Sequence, residues 1–361
     1  MRKIKKLLLF ILTLIFCSTC FACSKSGSAV DFYAFDTVIH VETHDSTLSK
    51  HTQTELNQLF VSLSQEFACN YQTSTIYKLN GATEQSEIQI SERVMQVFNL
   101  SKSFYYFTDK KFNPAVYPLV KLWQFDDYDY SLQNFTPPNH QDVLALLGET
   151  VNFDNILLNQ QALTVSKTNP QTKIDFGGIL KGYAVDKAFE ILSNAGHKSG
   201  YISIGGSSLY LLSVNSLSIR HPRATTETPT IISVNGKYLN SVAVSTSGDY
   251  EKYHENNGIK YNHIISPLTG YPTDTGIISA TIVGANGSFG DAVTTAMCLM
   301  EHSLGSKNSE LTCFINKILL EYPDCIVFAV YNKDGAKEVV TNKNQGEYFT
   351  LLDNSYSINQ I

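Results

Sequence analysis

The chain has 361 residues, 43% of them hydrophobic and 17% charged, with a formal net charge of −6. That is enough apolar material for a large buried core, and the acidic balance excludes the basic footprint of a nucleic-acid binder. No internal repeat and no low-complexity linker interrupts it.

Arg2, Lys3, Lys5 and Lys6 precede the apolar run LLLFILTLIF (7–16) and the small-residue stretch that follows. This order describes a secretory signal, and the run is shorter than the about 20 residues a membrane-spanning helix needs. Ala22–Cys23 resembles a bacterial lipobox, with Cys20 where leucine is usual. The expectation is a signal at 1–22, lipidation of Cys23, a tether over 23–29 and one domain over 30–361. That places the protein on the extracytoplasmic side of a bacterial cell membrane; cleavage nearby to give a soluble secreted protein is the other reading. Cys69, Cys298, Cys313 and Cys325 lack zinc-ligand spacing. An oxidising compartment permits a Cys313–Cys325 disulfide, and buried free thiols are the alternative.

VDFYAFDTVIHVETH (30–44) reads as one strand from its valines, aromatics and partial alternation. Leu56, Leu59, Phe60, Leu63 and Phe67 recur at helical spacing, predicting an amphipathic helix over 52–69, and a second spans about 91–107. Residues 125–140 are polar and turn-rich, a surface excursion. A short helix (141–147) and a weak hairpin (153–166) follow. A third helix covers 179–195 and ends at Gly196; YISIGGSSLYLLSV (201–214) is a strand pair broken at its glycines. Strand-like runs recur at 216–221, 229–234 and 276–284. Helices start at Asp291 and near 308, and 325–342 forms a hairpin around 332–335. Helices and strands mix without a βαβ rhythm, which predicts an α+β fold in one compact unit.

Three stretches carry candidate chemistry. In DFGGILKGYAVDK (175–187) two glycines enter a helix, with Lys181 in its first turn. Bare N–H groups at a helix N-terminus attract anions such as phosphate; a plain tight turn before a core helix reads equally from the residues. STSGDYEKYHENNGIKYNHIISPLTGYP (245–272) gathers aromatics, Asp249, His254 and His263 around glycine turns, suited to stacking on a planar ring beside a base. In GDAVTTAMCLM (290–300), Asp291 and Thr295 share a helix face and offer hard oxygen donors of the kind magnesium takes. An N-cap aspartate with a core-facing threonine is the alternative.

Taken in order, these stretches resemble the ApbE family of FAD:protein FMN transferases. FDT (35–37), EFACNYQTSTIYKLN (66–80) and TDKKFNPAVYPLVKLWQF (108–125) are similar to further blocks of that family. The resemblance implies an ApbE-like, T-fold-related domain that moves the FMN half of FAD onto a threonine or serine of an extracytoplasmic acceptor protein. AMP is released and Mg²⁺ is required. It implies Asp291, Thr295 and the Gly178 carbonyl as metal ligands, with Thr294 as an additional one. Phe35, Tyr71, Lys111, Phe112, Asn113, Asp175, Lys181 and Ile265 match positions lining the FAD pocket. His263 is the candidate proton acceptor, since an ordinary imidazole titrates near neutrality, and Asp249 is the second. The chain departs from the family pattern at Asp36, Asn113, Ser207 and Ser266. Two other activities suit the same residues: hydrolysis of FAD to FMN and AMP, or non-catalytic flavin binding by a lipoprotein. A monomer or a homodimer is expected.

Overall fold

A nine-stranded sheet runs through the molecule. In a computed structural model that describes residues 27–126 and 135–361, its strands are β1 (Ser28–Ala34), β2 (Thr37–Thr43), β3 (Gly200–Ile204), β4 (Ser208–Ser213), β5 (Asn240–Gly248), β6 (Ile277–Val283), β7 (Ile326–Lys333), β8 (Ala336–Thr341) and β9 (Ser357–Gln360). Their order across the sheet is their order in the chain. All neighbours are antiparallel except β8 and β9, which are parallel. The segments after β2 and β4, and those from β5 to β7, therefore return to the sheet beside the strand they left.

Helices α1 (Lys50–Phe67), α2 (Glu92–Phe107), α3 (Leu180–Asn194), α4 (Gly287–Met297) and α5 (Glu310–Glu321) are the longer ones. Helix α1 buries Leu56, Phe60, Leu63 and Phe67, the apolar stripe its spacing predicts. Ser49, Ser91 and Ser309 cap α1, α2 and α5 by accepting an N–H of the first turn. Helices α1, α3 and α4 cover one face of the sheet. A three-stranded sheet (Ser216–Arg220, Thr230–Asn235, Phe349–Leu351) shares the apolar cluster on the other. Strand β6, IISATIV, is buried along its whole length because both faces are covered. Elsewhere, among the described residues, no helix is long and apolar enough to cross a membrane.

Three expectations change. The single strand at 30–44 is a hairpin that begins at Ser28, within the expected tether, and turns at Phe35 and Asp36, with φ of 54° and 55°. Such turns normally carry Asn or Gly, so a Phe-Asp turn gives no local signal. Helix α4 begins at Gly287 behind Asn286, so Asp291 lies in its second turn rather than at its start. The ends of the 125–140 excursion turn inward: Phe125 and Phe135 are buried with Trp123 in a separate apolar cluster. Cys23 and the signal lie outside the described residues. Cys69, Cys298, Cys313 and Cys325 are free, Cys313 at the surface and Cys325 buried.

Candidate active site

A cavity of about 550 Å³ opens where the β1–β2 turn, the ends of β3 and β5, the C-terminus of α1 and the first turns of α3 converge. Its size is that of pockets which take small molecules and cofactors. Of the residues singled out above, Phe35, Lys111, Phe112, Asn113, Asp175, Gly178, Lys181, His263, Ile265, Asp291 and Thr295 line it. They come from separate stretches of the chain, and the fold brings them to one cavity.

The floor is a meeting of two helices. Gly182 of α3 donates its N–H to Asp291 Oδ2 at 2.6 Å, and Ser208 Oγ donates to Oδ1 at 2.9 Å. Close approach is required here: a Cβ on Gly182 would lie 2.0 Å from the Gly287 carbonyl oxygen. Burial pushes the Asp291 carboxyl up to about 6, with Lys181 acting against that shift. Thr295 Oγ1 donates to the Asp291 carbonyl at 2.9 Å, and Ser247 Oγ lies 3.3 Å from it. A Cβ built on Gly178 would stand 3.8 Å from Thr295 Oγ1, so the glycine backbone runs beside that hydroxyl. The donor set is one buried carboxylate, a hydroxyl and a bare backbone. No cluster of three His, Cys, Asp or Glu side chains suited to a metal occurs among the described residues. The set's donors are hard oxygens of the kind a magnesium-type ion takes, with water and phosphate in its other positions.

Lys181 Nζ donates to Ser207 Oγ at 2.6 Å, so the serine found at this position receives the lysine and aims it along the cavity wall. His263 Nδ1 lies 3.2 Å from the Lys252 carbonyl, an acceptor only. The proton therefore belongs on Nδ1, and Nε2 is the basic nitrogen. Desolvation by the surrounding wall, with the charges of Lys252 and Lys181, lowers its pKa to about 4 against the bond to the Lys252 carbonyl, which raises it. The ring is neutral at pH 7. Asp175 is pushed up by burial and accepts the Gly177 N–H at 2.9 Å, fixing the glycine turn. Lys111 lines the cavity while its amine pairs with Glu310 at 3.0 Å.

Four of the residues named above stand elsewhere. Asp249 is outside the lining, held by Arg223 through two bonds of 2.7 Å; a fork of this kind occupies both carboxylate oxygens. Tyr71 is half exposed beside the lining residue Asn70. Thr294 is fully buried, donating to the Gly290 carbonyl at 2.8 Å. His254 is stacked between Phe125 and Phe135, a packing residue.

The structure adds residues that the sequence did not single out. Ser208 and Ser247 tie β4 and β5 to α4, and Asp126, Glu251 and Lys252 line the cavity. Ser208 stands two residues after the Gly205–Gly206 pair and Ser247 directly precedes Gly248, so a nearby glycine is the local sign at both.

The ApbE family model matches residues 35–312. A FAD:protein FMN transferase of Klebsiella pneumoniae (strain 342) is 26% identical over 260 residues, spanning 72% of this chain and 78% of that protein. One from Haemophilus influenzae is 26% identical over 311 residues, 82% of this chain and 88% of that protein. The ApbE protein of Thermotoga maritima MSB8 superposes with a TM-score of 0.71 at 25% identity, over 85% of this chain and 94% of that one. The flavin transferase ApbE from Vibrio cholerae shares the fold, with a TM-score of 0.73 at 19% identity over 88% and 97% of the two chains. With the matched segment covering most of its length, the chain belongs to the ApbE family.

Proposed function

We propose that the protein transfers FMN from FAD to a threonine or serine hydroxyl of an acceptor protein, releasing AMP. The observation that carries this is the buried Asp291 carboxylate beside Thr295, Gly178 and Lys181 in one cavity. Hard oxygen donors and a cation in the lining of one cavity support this reading, because a pyrophosphate needs its charge balanced. The names of the relatives point the same way.

Asp291, Thr295 and the Gly178 carbonyl would hold Mg²⁺, which when bound neutralises pyrophosphate charge and favours displacement at phosphorus. This chain's own groups do the rest. Lys181 binds the phosphates. Phe35, Phe112 and Ile265 give the flavin an apolar wall. His263 Nε2 takes the proton of the acceptor hydroxyl as its oxygen bonds to the FMN-side phosphorus. The bond from that phosphorus to the bridging oxygen breaks, and AMP leaves with the oxygen.

One experiment tests the reading. The protein is incubated with FAD, Mg²⁺ and a threonine-bearing acceptor, and acceptor mass and AMP are followed. Acceptor heavier by FMN supports transfer; AMP and FMN without adduct support hydrolysis; bound, intact FAD supports storage. Asp291→Ala is expected to abolish turnover, and turnover at the wild-type rate would remove Asp291 from the metal site.

The expected signal and Cys23 lead to a second proposal: the mature protein is lipid-anchored outside the cytoplasmic membrane and meets its acceptor there. Mass spectrometry of the mature N-terminus should find a diacylated Cys23. An unmodified N-terminus at another residue would sink the anchor.

A further inference from the structure

Helices α3 and α4 exchange carboxylates. Asp291 of α4 accepts the N–H of Gly182 in the first turn of α3, at 2.6 Å. In return Asp186 of α3 accepts the first two N–H groups of α4, from Gly287 at 2.7 Å and Ser288 at 3.0 Å. The opening N–H groups of a helix have no partner within it, and each of these helices takes one from the other's side chain. Helix α3 needs it, because its N-cap position, Ile179, offers no side-chain acceptor. Between the two bonded ends the backbones touch: a Cβ on Gly287 would lie 2.5 Å from the Gly182 carbonyl oxygen.

The arrangement has a consequence for the site. Lys181 precedes Gly182, and Asp291 and Thr295 lie one and two turns beyond Gly287. Anything that slides one helix along the other separates the cation from the carboxylate. Close approach at Gly182 and Gly287 holds the distance, and the axial position is fixed by directional bonds: one from the Gly182 N–H to Asp291 and two to Asp186.

We infer that Asp186 is a positioning residue for the active site, setting the register of α3 against α4 and so the approach of Asp291 and Thr295 to Gly178 and Lys181. This deepens the function proposed above and rests on it.

The test compares Asp186→Asn with Asn286→Ala in the full chain. Asn286 is the N-cap of α4, bonding the Phe289 N–H, so its loss weakens the same helix end without touching α3. Asp186→Asn loses one acceptor oxygen; Asp186→Ser is the fallback if the amide fails to fold. Two readings are taken: Mg²⁺ binding with FAD present, by calorimetry, and amide exchange of residues 180–186 without either ligand. In Asp186→Asn the Mg²⁺ affinity should fall about tenfold, the usual effect of removing a partner that orients a metal ligand, and in Asn286→Ala by less than about twofold. Exchange at 180–186 should quicken only in Asp186→Asn. Unchanged exchange there, or equal effects of both substitutions, would overturn the inference. Should the wild type bind no Mg²⁺, the metal reading falls, while the exchange comparison still decides the role of Asp186.

Discussion

The histidine at the cavity wall shows how much a single residue depends on its setting. His263 reads from the sequence as a base of ordinary pKa; in the fold its pKa drops to about 4 because the wall desolvates the imidazolium and two lysines repel it. The sign follows. Between pH 4 and the unfolded value near 6.5 the unfolded chain binds more protons, so stability rises with pH across that window and is lost on going down through it. Urea unfolding at pH 4.5, 5.5 and 7 should show that slope reduced in His263→Gln. An identical slope would mean the ring is not desolvated. Phe35 is the other residue set by context. A bulky side chain at φ 54° carries about 1–3 kcal/mol of strain, held by the β1–β2 hairpin and by the bond from its N–H to Ser64 Oγ at 3.2 Å. Two of the departures from the family pattern are explained locally. Asn113 donates its amide to the Val151 carbonyl at 3.2 Å, a bond a carboxylate does not make. Ser266 Oγ accepts the N–H groups of Leu268 and Thr269, both at 3.3 Å, and so closes the turn that an aspartate would otherwise close.

At the scale of elements, the loop that delivers the glycine turn is fastened by a buried lysine. Lys167 is fully buried and donates to the carbonyls of Asn80, Pro170 and Thr172 at 3.2, 3.0 and 3.1 Å. Asn80 in turn exchanges two bonds with the backbone of Ile174, one residue before Asp175. Burial lowers the lysine's pKa to about 8. Lys167→Met fills the space but orphans three carbonyls, and should cost about 3 kcal/mol; urea denaturation measures it, and a loss within experimental error would show the loop is held otherwise. Such a lysine has no signature in the sequence, because nothing local distinguishes a buried lysine from an exposed one. The helices were legible because their apolar spacing and serine caps are local. The β1–β2 turn was not, because its positive φ values are imposed on residues that do not advertise them.

At the scale of the whole molecule, the sheet is assembled in chain order throughout, and only its last strand joins in parallel. That strand is tied by a buried polar network: Glu338 lies 2.7 Å from His302 Nε2 and accepts from the Gly305 N–H at 2.9 Å and the Asn359 amide at 3.2 Å. Glu338→Ala removes the acceptor of His302 and of the Gly305 N–H and one of the two acceptors of the Asn359 amide. It should destabilise the protein by about 3 kcal/mol and loosen β9, read as faster amide exchange at 357–360; native exchange there would exclude the network as the tie.

What the sequence determined by itself is what depends on near neighbours: the long helices, the central strands, and the three stretches whose residue types suit a flavin pyrophosphate. What only the tertiary structure decided is which of those residues share a cavity. Asp249 and Thr294 sit within one or two residues of the cavity lining, yet Arg223 and the Gly290 carbonyl engage them. Asp186 reads from the sequence as a structural residue within a helix, and the fold supplies its partner, the start of the next helix. The reason is physical: spacing along a chain fixes the side of an element a residue occupies, while its partner comes from packing between elements far apart in sequence.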